Sequence, residues 1–126
     1  MTEFSNDLIL VIDTSGEKAF VALVRGGDVV GERTWESSPD VGRRALNVVD
    51  ELLKGAGLKL EDVGRVGVGV GPGRYYSALR AGVTVGSILA YAAGAEMIQL
   101  TSSDKSGLVS EACAAKPVKA VLSKYA

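Results

Sequence analysis

The spacing of hydrophobic residues along the chain switches from a strand pattern to a helix pattern. The apolar run Leu8–Ile12 predicts a central strand that is buried on both faces. Two further apolar runs, Ala19–Val24 and Val29–Trp35, lie on either side of Gly26-Gly27, a pair that suits a two-residue hairpin turn. Because polar residues alternate along the third run, we predict that this strand lies at the edge of a sheet.

Helices and strands alternate in the rest of the chain. Apolar residues recur at helical spacing in Val41–Gly55, over a face broader than contact with a sheet alone requires. A strand of alternating valine and glycine, a long helix, a short strand and a third helix are predicted next, at Arg65–Gly71, Tyr75–Ala93, Glu96–Leu100 and Ser106–Ala115. This order predicts an α/β fold, a mixed five-stranded sheet flanked by helices. It is the ribonuclease H-like layout that the actin and Hsp70 ATPases also use.

Small residues recur at every fourth position of the long predicted helix, namely Ala78, Gly82, Gly86, Ala90 and Gly94. On a helix they form one nearly straight furrow. Because a glycine inside a helix costs roughly 1 kcal/mol relative to alanine, another backbone is expected to lie close to it. The helix is apolar nearly all round, whereas a domain of this size covers only one side of it. We therefore predict a protein interface here; the alternative is that the furrow packs under a neighbouring element of the same chain.

Composition limits the chemistry that the chain can carry out. Its 126 residues fit one domain, and 14 basic against 15 acidic residues give no net charge that would attract nucleic acid or an anionic membrane. An RNA contact would therefore be local or made by a partner. The chain has no histidine and a single cysteine, Cys113. This excludes Ser-His, Cys-His and transition-metal catalysis and leaves carboxylate chemistry with magnesium open.

Cysteine content and sequence pattern also predict the compartment. A single cysteine provides no disulfide framework, so we expect a reducing cytoplasm. The N-terminal residues Met1–Asp7 lack a signal-peptide pattern, and the longest uncharged run, Ala81–Ala95, is too short for a membrane span. We therefore predict a soluble, cytoplasmic protein with no membrane contact.

Two loops could bind a ligand. Asp13 ends the first strand, where a carboxylate commonly holds magnesium or an attacking water, and Thr14 and Ser15 could wrap a phosphate with backbone N–H groups. The turn containing Gly71 and Gly73 leads into a helix N-terminus, which can cradle an anion. The alternatives are structural: a strand-end aspartate that caps the following turn, and a tight strand-to-helix turn.

Three segments of the sequence resemble one protein family. They are the opening Leu8–Ser15, the strand and turn Val66–Gly73, and Leu79–Val83. They are similar to the TsaB (YeaZ) family, the bacterial partner subunit in the synthesis of threonylcarbamoyladenosine at position 37 of tRNA. The family's motifs read I-L-x-I-D-T-[AS] and G-P-G-S-[FY]-T-G-L-R-[IV]-G. The resemblance covers roughly residues 8–115.

The resemblance implies a non-catalytic scaffold that needs no cofactor and no metal. In this family the subunit pairs with the transferase TsaD through a helical interface, the ATPase TsaE joins the assembly, homodimers form through the same face, and tRNA is contacted only indirectly. On this chain the implied interface comprises Leu46, Val49, Leu53, Ala78, Leu79, Gly82, Gly86, Ile88, Leu89 and Ala90. A vestigial nucleotide site would comprise Asp13, Thr14, Ser15, Gly71 and Gly73.

The family normally continues into a second lobe, whereas this sequence ends near the point where that lobe would begin. We therefore expect residues 1–115 to form the N-terminal lobe and residues 116–126 to be the start of a missing or vestigial second lobe. Two rival functions stay open. One is a small nucleotide-binding or phosphotransfer enzyme that uses Asp13 and the GPG loop, and the other is a degenerate homodimeric fragment.

Overall fold

The computed structural model of the protein describes residues 8–14, 16–69, 76–101 and 105–114. Its strands are β1 (Leu8–Asp13), β2 (Lys18–Arg25), β3 (Asp28–Glu36), β4 (Arg65–Gly69) and β5 (Glu96–Leu100). Its helices are α1 (Val41–Gly55), α2 (Tyr76–Ala93) and α3 (Lys105–Ala114), and a short 3-10 turn, Leu60–Asp62, precedes β4.

The five strands form one mixed sheet in the order β3-β2-β1-β4-β5. The central strand β1 pairs antiparallel with β2 and parallel with β4, while β4 pairs parallel with β5. Among the strands described, β3 and β5 are therefore the edges. The predicted central position of the first strand and the predicted edge position of the third are both confirmed.

The hairpin between β2 and β3 turns on two glycines. Gly26 and Gly27 have φ values of 59° and 87°, in the left-handed region that a tight hairpin turn with two positive φ angles requires. Past the turn, the pairing register of the two strands shifts between Leu23 and Val24. Because Leu23 pairs with Gly31 and Val24 pairs with Val29, the edge strand carries a β-bulge near its start.

Apolar side chains fill the space on both faces of the sheet. On one face, β-strand residues such as Leu10, Ile12 and Val21 form a cluster with α1 and α2. On the other, Val11 and Phe20 form a cluster with residues of β5 and α3. Every residue of β1 is buried, as predicted from its continuous apolar run. The sheet is thus covered by two helices on one side and by α3 on the other.

The alternation of valine and glycine in β4 divides the strand between these two faces. Val66 and Val68 belong to the cluster beneath α1 and α2. A Cβ atom at Gly67 would come within 2.9 Å of Leu100 Cδ1, so side chains of the neighbouring β5 take up the room that Gly67 leaves. At Gly67 the glycine face of the strand is therefore filled from within the chain.

Helix boundaries agree with the sequence to within a residue where the helices are described. Asp40 is the N-cap residue of α1, but its side chain makes no capping hydrogen bond and instead accepts one from the Ser38 hydroxyl. At the other end, Gly57 has a φ of 71°, the left-handed conformation expected after a helix.

Three sequence expectations concern parts of the chain that are only partly described. The predicted end of the fourth strand, Val70 and Gly71, lies outside the described residues, as do residues 116–126 with the second lobe expected there. The third helix begins at Lys105, one residue earlier than predicted. Of the helices described, none combines the length and apolar character needed to cross a membrane.

Candidate functional site

The end of β1 places two polar side chains inside the domain. Asp13 is 9% exposed and Thr14 is 1% exposed. A Cβ atom at Gly69 of β4 would lie 2.7 Å from Asp13 Cγ, and one at Gly82 of α2 would collide with Thr14 Oγ1. Because β4 and α2 close in on this pair from different elements, the two glycines leave the space that the carboxyl and hydroxyl groups need.

The structure brings together only part of the predicted ligand site. Asp13 and Thr14 are neighbours at the strand end, whereas Ser15, Gly71 and Gly73 lie outside the described residues. A remnant nucleotide site therefore stays a prediction. Within the described segments, no group of three or more His, Cys, Asp or Glu residues is arranged to hold a metal ion.

Sequence reasoning missed Gly69 as a neighbour of Asp13 and assigned Gly82 to an interface. Gly67 and Gly69 lie two residues apart, on the same face of the strand, which indicated that another group comes close to that face. The sequence did not reveal which side chain this is. In the structure, the group next to Gly69 is the Asp13 carboxyl group.

Replacing Gly82 with alanine is expected to lower the free energy of unfolding by about 1–3 kcal/mol, because the added methyl group overlaps the Thr14 hydroxyl. In a double-mutant cycle, Thr14→Ala should cancel most of this loss, since it removes Oγ1 and leaves the Thr14 Cβ at 3.4 Å. Urea denaturation followed by circular dichroism measures both. Gly55→Ala, at a helical glycine with open space around its Cβ position, is the control. Additive losses would contradict the contact.

The small-residue furrow of α2 faces the sheet, which corrects the prediction that it is open to another protein. Gly82 lies against Thr14, and a Cβ at Gly86 would collide with Val68 Cγ2. Ala90 is 4% exposed and belongs to the core cluster. The close neighbours that the glycines require are therefore side chains of the same chain, Thr14 directly after β1 and Val68 of β4.

Other residues of the predicted interface divide between the core and the surface. Three are buried in the cluster beneath α1 and α2, namely Val49, Leu53 and Leu89. Leu46 and Ile88 are exposed, at 39% and 55%. The side chains of Ala78 and Leu79 are outside the described part of the chain. Amphipathic spacing alone could not separate these groups, because both helices carry apolar residues on more than one side.

An apolar surface remains on the outer side of the two helices, and we name it the helical face, comprising Leu46, Ile88 and Tyr91. Tyr91 is 91% exposed and was missed in the predicted interface. Its spacing of three residues from Ile88 was the available signal, since residues three apart are neighbours on a helix surface.

Contact between α1 and α2 brings these residues side by side. A Cβ at Gly42 would lie 3.4 Å from Ala81 Cβ and 3.6 Å from Val85 Cγ2, so small residues allow the helices to approach closely. Both helices connect parallel strands of the sheet, so they run in the same direction. One turn further along each helix, Leu46 therefore lies alongside the turn that contains Ile88.

Comparisons with known proteins agree with this architecture. The profile of the family described as "TsaD: tRNA N6-adenosine threonylcarbamoyltransferase" matches residues 36–122. Over 83 residues the chain is 34% identical to the tRNA threonylcarbamoyladenosine biosynthesis protein TsaB of Bacillus subtilis (strain 168), covering 66% of this chain and 36% of that protein.

Solved structures place the fold. YeaZ from Pseudomonas aeruginosa is similar with a TM-score of 0.69 and 28% identity, over 75% of this chain and 44% of that one. RuvC of T. thermophilus, in complex with a Holliday junction substrate, is similar with a TM-score of 0.51 and 15% identity, over 75% of this chain and 64% of that one. The second likeness concerns the fold alone. Together they confirm the predicted ribonuclease H-like fold. This chain spans less than half of the length of YeaZ.

Proposed function

Since the chain belongs to the family described as TsaD, tRNA N6-adenosine threonylcarbamoyltransferase, and is a homologue of TsaB and YeaZ, we propose that it is a scaffold subunit in tRNA threonylcarbamoyladenosine biosynthesis. It pairs with the transferase TsaD and carries out no chemistry of its own. TsaE joins this assembly as a further member, in the cytoplasm. The chain spans 36% of the curated relative, so the role of the whole relative enters here as part of the proposal.

The observation that carries this proposal is the helical face. Ile88 and Tyr91 leave large apolar surfaces exposed on α2, and Leu46 extends them onto α1. Exposed apolar side chains that lie side by side are typical of protein interaction sites, whereas isolated ones are ordinary. Burying these side chains under a partner would remove their apolar area from water, at about 25 cal/mol per Å².

The rigid support under the helical face favours the same role. Gly82 and Gly86 seat α2 directly on the sheet, and the contact of Gly42 with Ala81 fixes α1 beside α2. A surface held in this way loses little conformational freedom on binding, so more of the contact energy is available for affinity.

A non-catalytic role is supported by residues at the end of β1. Asp13 is enclosed by Gly69, and Thr14 by Gly82, so β4 and α2 occupy two of the sides from which a phosphate could approach. The chain also has no histidine, the usual general base near neutral pH. We therefore assign these polar residues to the packing of β1.

Co-expression with the TsaD of the same organism tests the proposal. The two proteins should elute together in size-exclusion chromatography with light scattering, at the mass of one copy of each or a multiple of it. Deleting the gene should abolish threonylcarbamoyladenosine in tRNA measured by mass spectrometry. Separate elution together with normal tRNA modification in the deletion strain would refute the assignment.

A homodimer through the helical face is the expected state of the chain without TsaD. Because both associations would bury the same side chains, adding TsaD should dissociate the homodimer. Calorimetry with Mg-ATP on the purified protein tests the rival function, a nucleotide-dependent enzyme. Micromolar binding that is lost in Asp13→Ala would favour a nucleotide-dependent enzyme.

A further inference from the structure

A polar cleft lies between β3 and the outer flank of α1. Its volume is about 550 Å³, and it is lined by Arg33 of β3 together with Asp40, Arg43, Arg44, Asn47 and Glu51. The α1 residues recur at spacings of three and four, so they form one stripe along the helix. We name this the arginine cleft.

Three guanidinium groups in the arginine cleft face two carboxylates. Arg33 Nη1 donates to Glu51 Oε1 at 2.8 Å, and Arg43 Nη2 lies 3.7 Å from Asp40 Oδ2. Arg44 forms no ion pair with a carboxylate of the described residues. Since each guanidinium has five N–H donors, these contacts leave most donors available.

Each carboxylate pairs with one arginine and leaves most of its donors available. The pKa of Asp40 is lowered by the Ser38 hydrogen bond and by the charges of Arg43 and Arg44, so Asp40 is ionised at neutral pH. Both ion pairs are at least half exposed, and exposed pairs of this kind contribute little to stability. A ligand that presents several phosphate groups can therefore compete for these arginines at small cost.

Helix stability does not explain the position of two of these arginines. Arg43 and Arg44 lie in the first turn of α1, which contains no acidic residue. Cations near a helix N-terminus are disfavoured by the helix dipole. Positive side chains at the positive end of a helix instead concentrate the charge that attracts an anion.

We propose that the arginine cleft binds the phosphate backbone of the tRNA that the complex modifies. The inference rests on the proposed function, and it replaces the expectation that tRNA is contacted only indirectly. Guanidinium groups match phosphate oxygens with paired donors, and Asn47 adds a neutral donor for the same backbone. The chain has a net charge of −1, so the attraction is local to the cleft.

Two of the three cleft arginines, Arg33 and Arg44, stay accessible when the helical face is covered. Leu46 and Arg44 are two residues apart, which places them about 200° apart around the axis of α1. A partner that docks on Leu46 and Ile88 therefore leaves Arg44 and Arg33 on the far flank of the helix, whereas Arg43, three residues before Leu46, borders the helical face. One helix can in this way contact the transferase on one side and RNA on the other.

Titration of the complex with tRNA tests the inference. We would measure binding of an unmodified substrate tRNA to the purified complex by fluorescence anisotropy at several salt concentrations. The triple variant Arg33→Gln/Arg43→Gln/Arg44→Gln should bind about tenfold or more weakly near 100 mM salt. The slope of its log binding constant against log salt concentration should become shallower by about two to three. Each lost phosphate contact removes about 0.7–0.9 from this slope. Arg44→Lys should keep the slope, and Arg25→Gln, an exposed arginine outside the cleft, should change nothing.

Subunit pairing of the same samples separates this inference from the proposed function. Unchanged tRNA binding by the triple variant, with intact pairing, would refute the cleft and leave the scaffold role standing. Loss of pairing by Arg33→Gln/Arg44→Gln, which keeps Arg43 beside Leu46, would place the cleft in the protein interface and also refute it.

Inorganic phosphate and Mg-ADP are the probes for a small phosphate ligand. Binding of either one at micromolar concentration, lost in the triple variant while tRNA binding persists, would assign the cleft to that ligand instead. If the wild-type chain does not pair with TsaD at all, the same titration is carried out on the chain alone. Equal tRNA binding by the wild type and the triple variant would then refute the cleft.

Discussion

Replacing Gly86 with alanine should lower the free energy of unfolding by about 3 kcal/mol, and replacing it with leucine should unfold most of the protein. The Cβ of alanine would collide with Val68 Cγ2, and Val66 Cγ1 and Met97 Cε lie only 3.6 Å and 3.7 Å from the same position. These side chains belong to the buried cluster, so none can move aside into solvent. Urea denaturation followed by circular dichroism measures the loss for alanine, and the far-ultraviolet spectrum detects unfolding in the leucine variant.

A second substitution shows whether this collision is the cause. Val68→Ala removes the colliding methyl group, so Gly86→Ala/Val68→Ala should be more stable than the sum of the single losses predicts. Gly55→Ala is the matched control, because its Cβ position meets nothing within 4 Å and alanine is the better helix former. A folded Gly86→Leu variant that no longer pairs with TsaD would contradict the structure and restore the furrow as an interface.

Replacing Ile88 with aspartate should weaken pairing with TsaD at least about 100-fold, or roughly 2.7 kcal/mol, while leaving the fold intact. Ile88 is 55% exposed and lies on the helical face, so a carboxylate there is harmless in water but loses its hydration under a partner. Calorimetry or surface plasmon resonance with purified TsaD measures the affinity. Tyr91→Ala should act in the same direction, with a smaller effect because it lies at the last turns of α2.

Val30→Asp is the matched control for the interface. Val30 is 47% exposed, close to the exposure of Ile88, but it lies on the edge strand β3. Its substitution should leave affinity unchanged. If Val30→Asp weakens pairing and Ile88→Asp does not, the partner docks on the sheet edge and the helical face is not the interface.

Sequence periodicity predicted the sheet well because each strand carried a distinct signal. The short uninterrupted apolar run from Leu8 favoured a strand covered on both faces, and the two glycines of the hairpin adopt the backbone that their positions demand. The order of elements then restricted the topology to a few mixed sheets, and the observed one has the predicted strand at its centre.

The candidate sites were harder to predict, because they depend on distances between residues remote in sequence. Helical spacing showed that Gly82 and Gly86 need a close neighbour, but it could not tell whether that neighbour is Thr14 and Val68 or another protein. The arginine cleft likewise forms only when β3 brings Arg33 beside α1. Net composition concealed it, because positive and negative residues balance over the whole chain.

The bulged start of β3 determines how copies of this protein can meet. Along that rim, charged side chains at Glu32, Arg33 and Glu36 interrupt the row of free amide and carbonyl groups. A neighbouring molecule laid antiparallel across a two-fold axis at residue 32, 33 or 34 would set Glu32 against Glu32, Arg33 against Arg33, or Glu32 against Glu36, respectively. Such like-charge pairs are repulsive. Edge-to-edge polymerisation through β3 is therefore disfavoured, and concentrated solutions should contain oligomers of defined size rather than fibres.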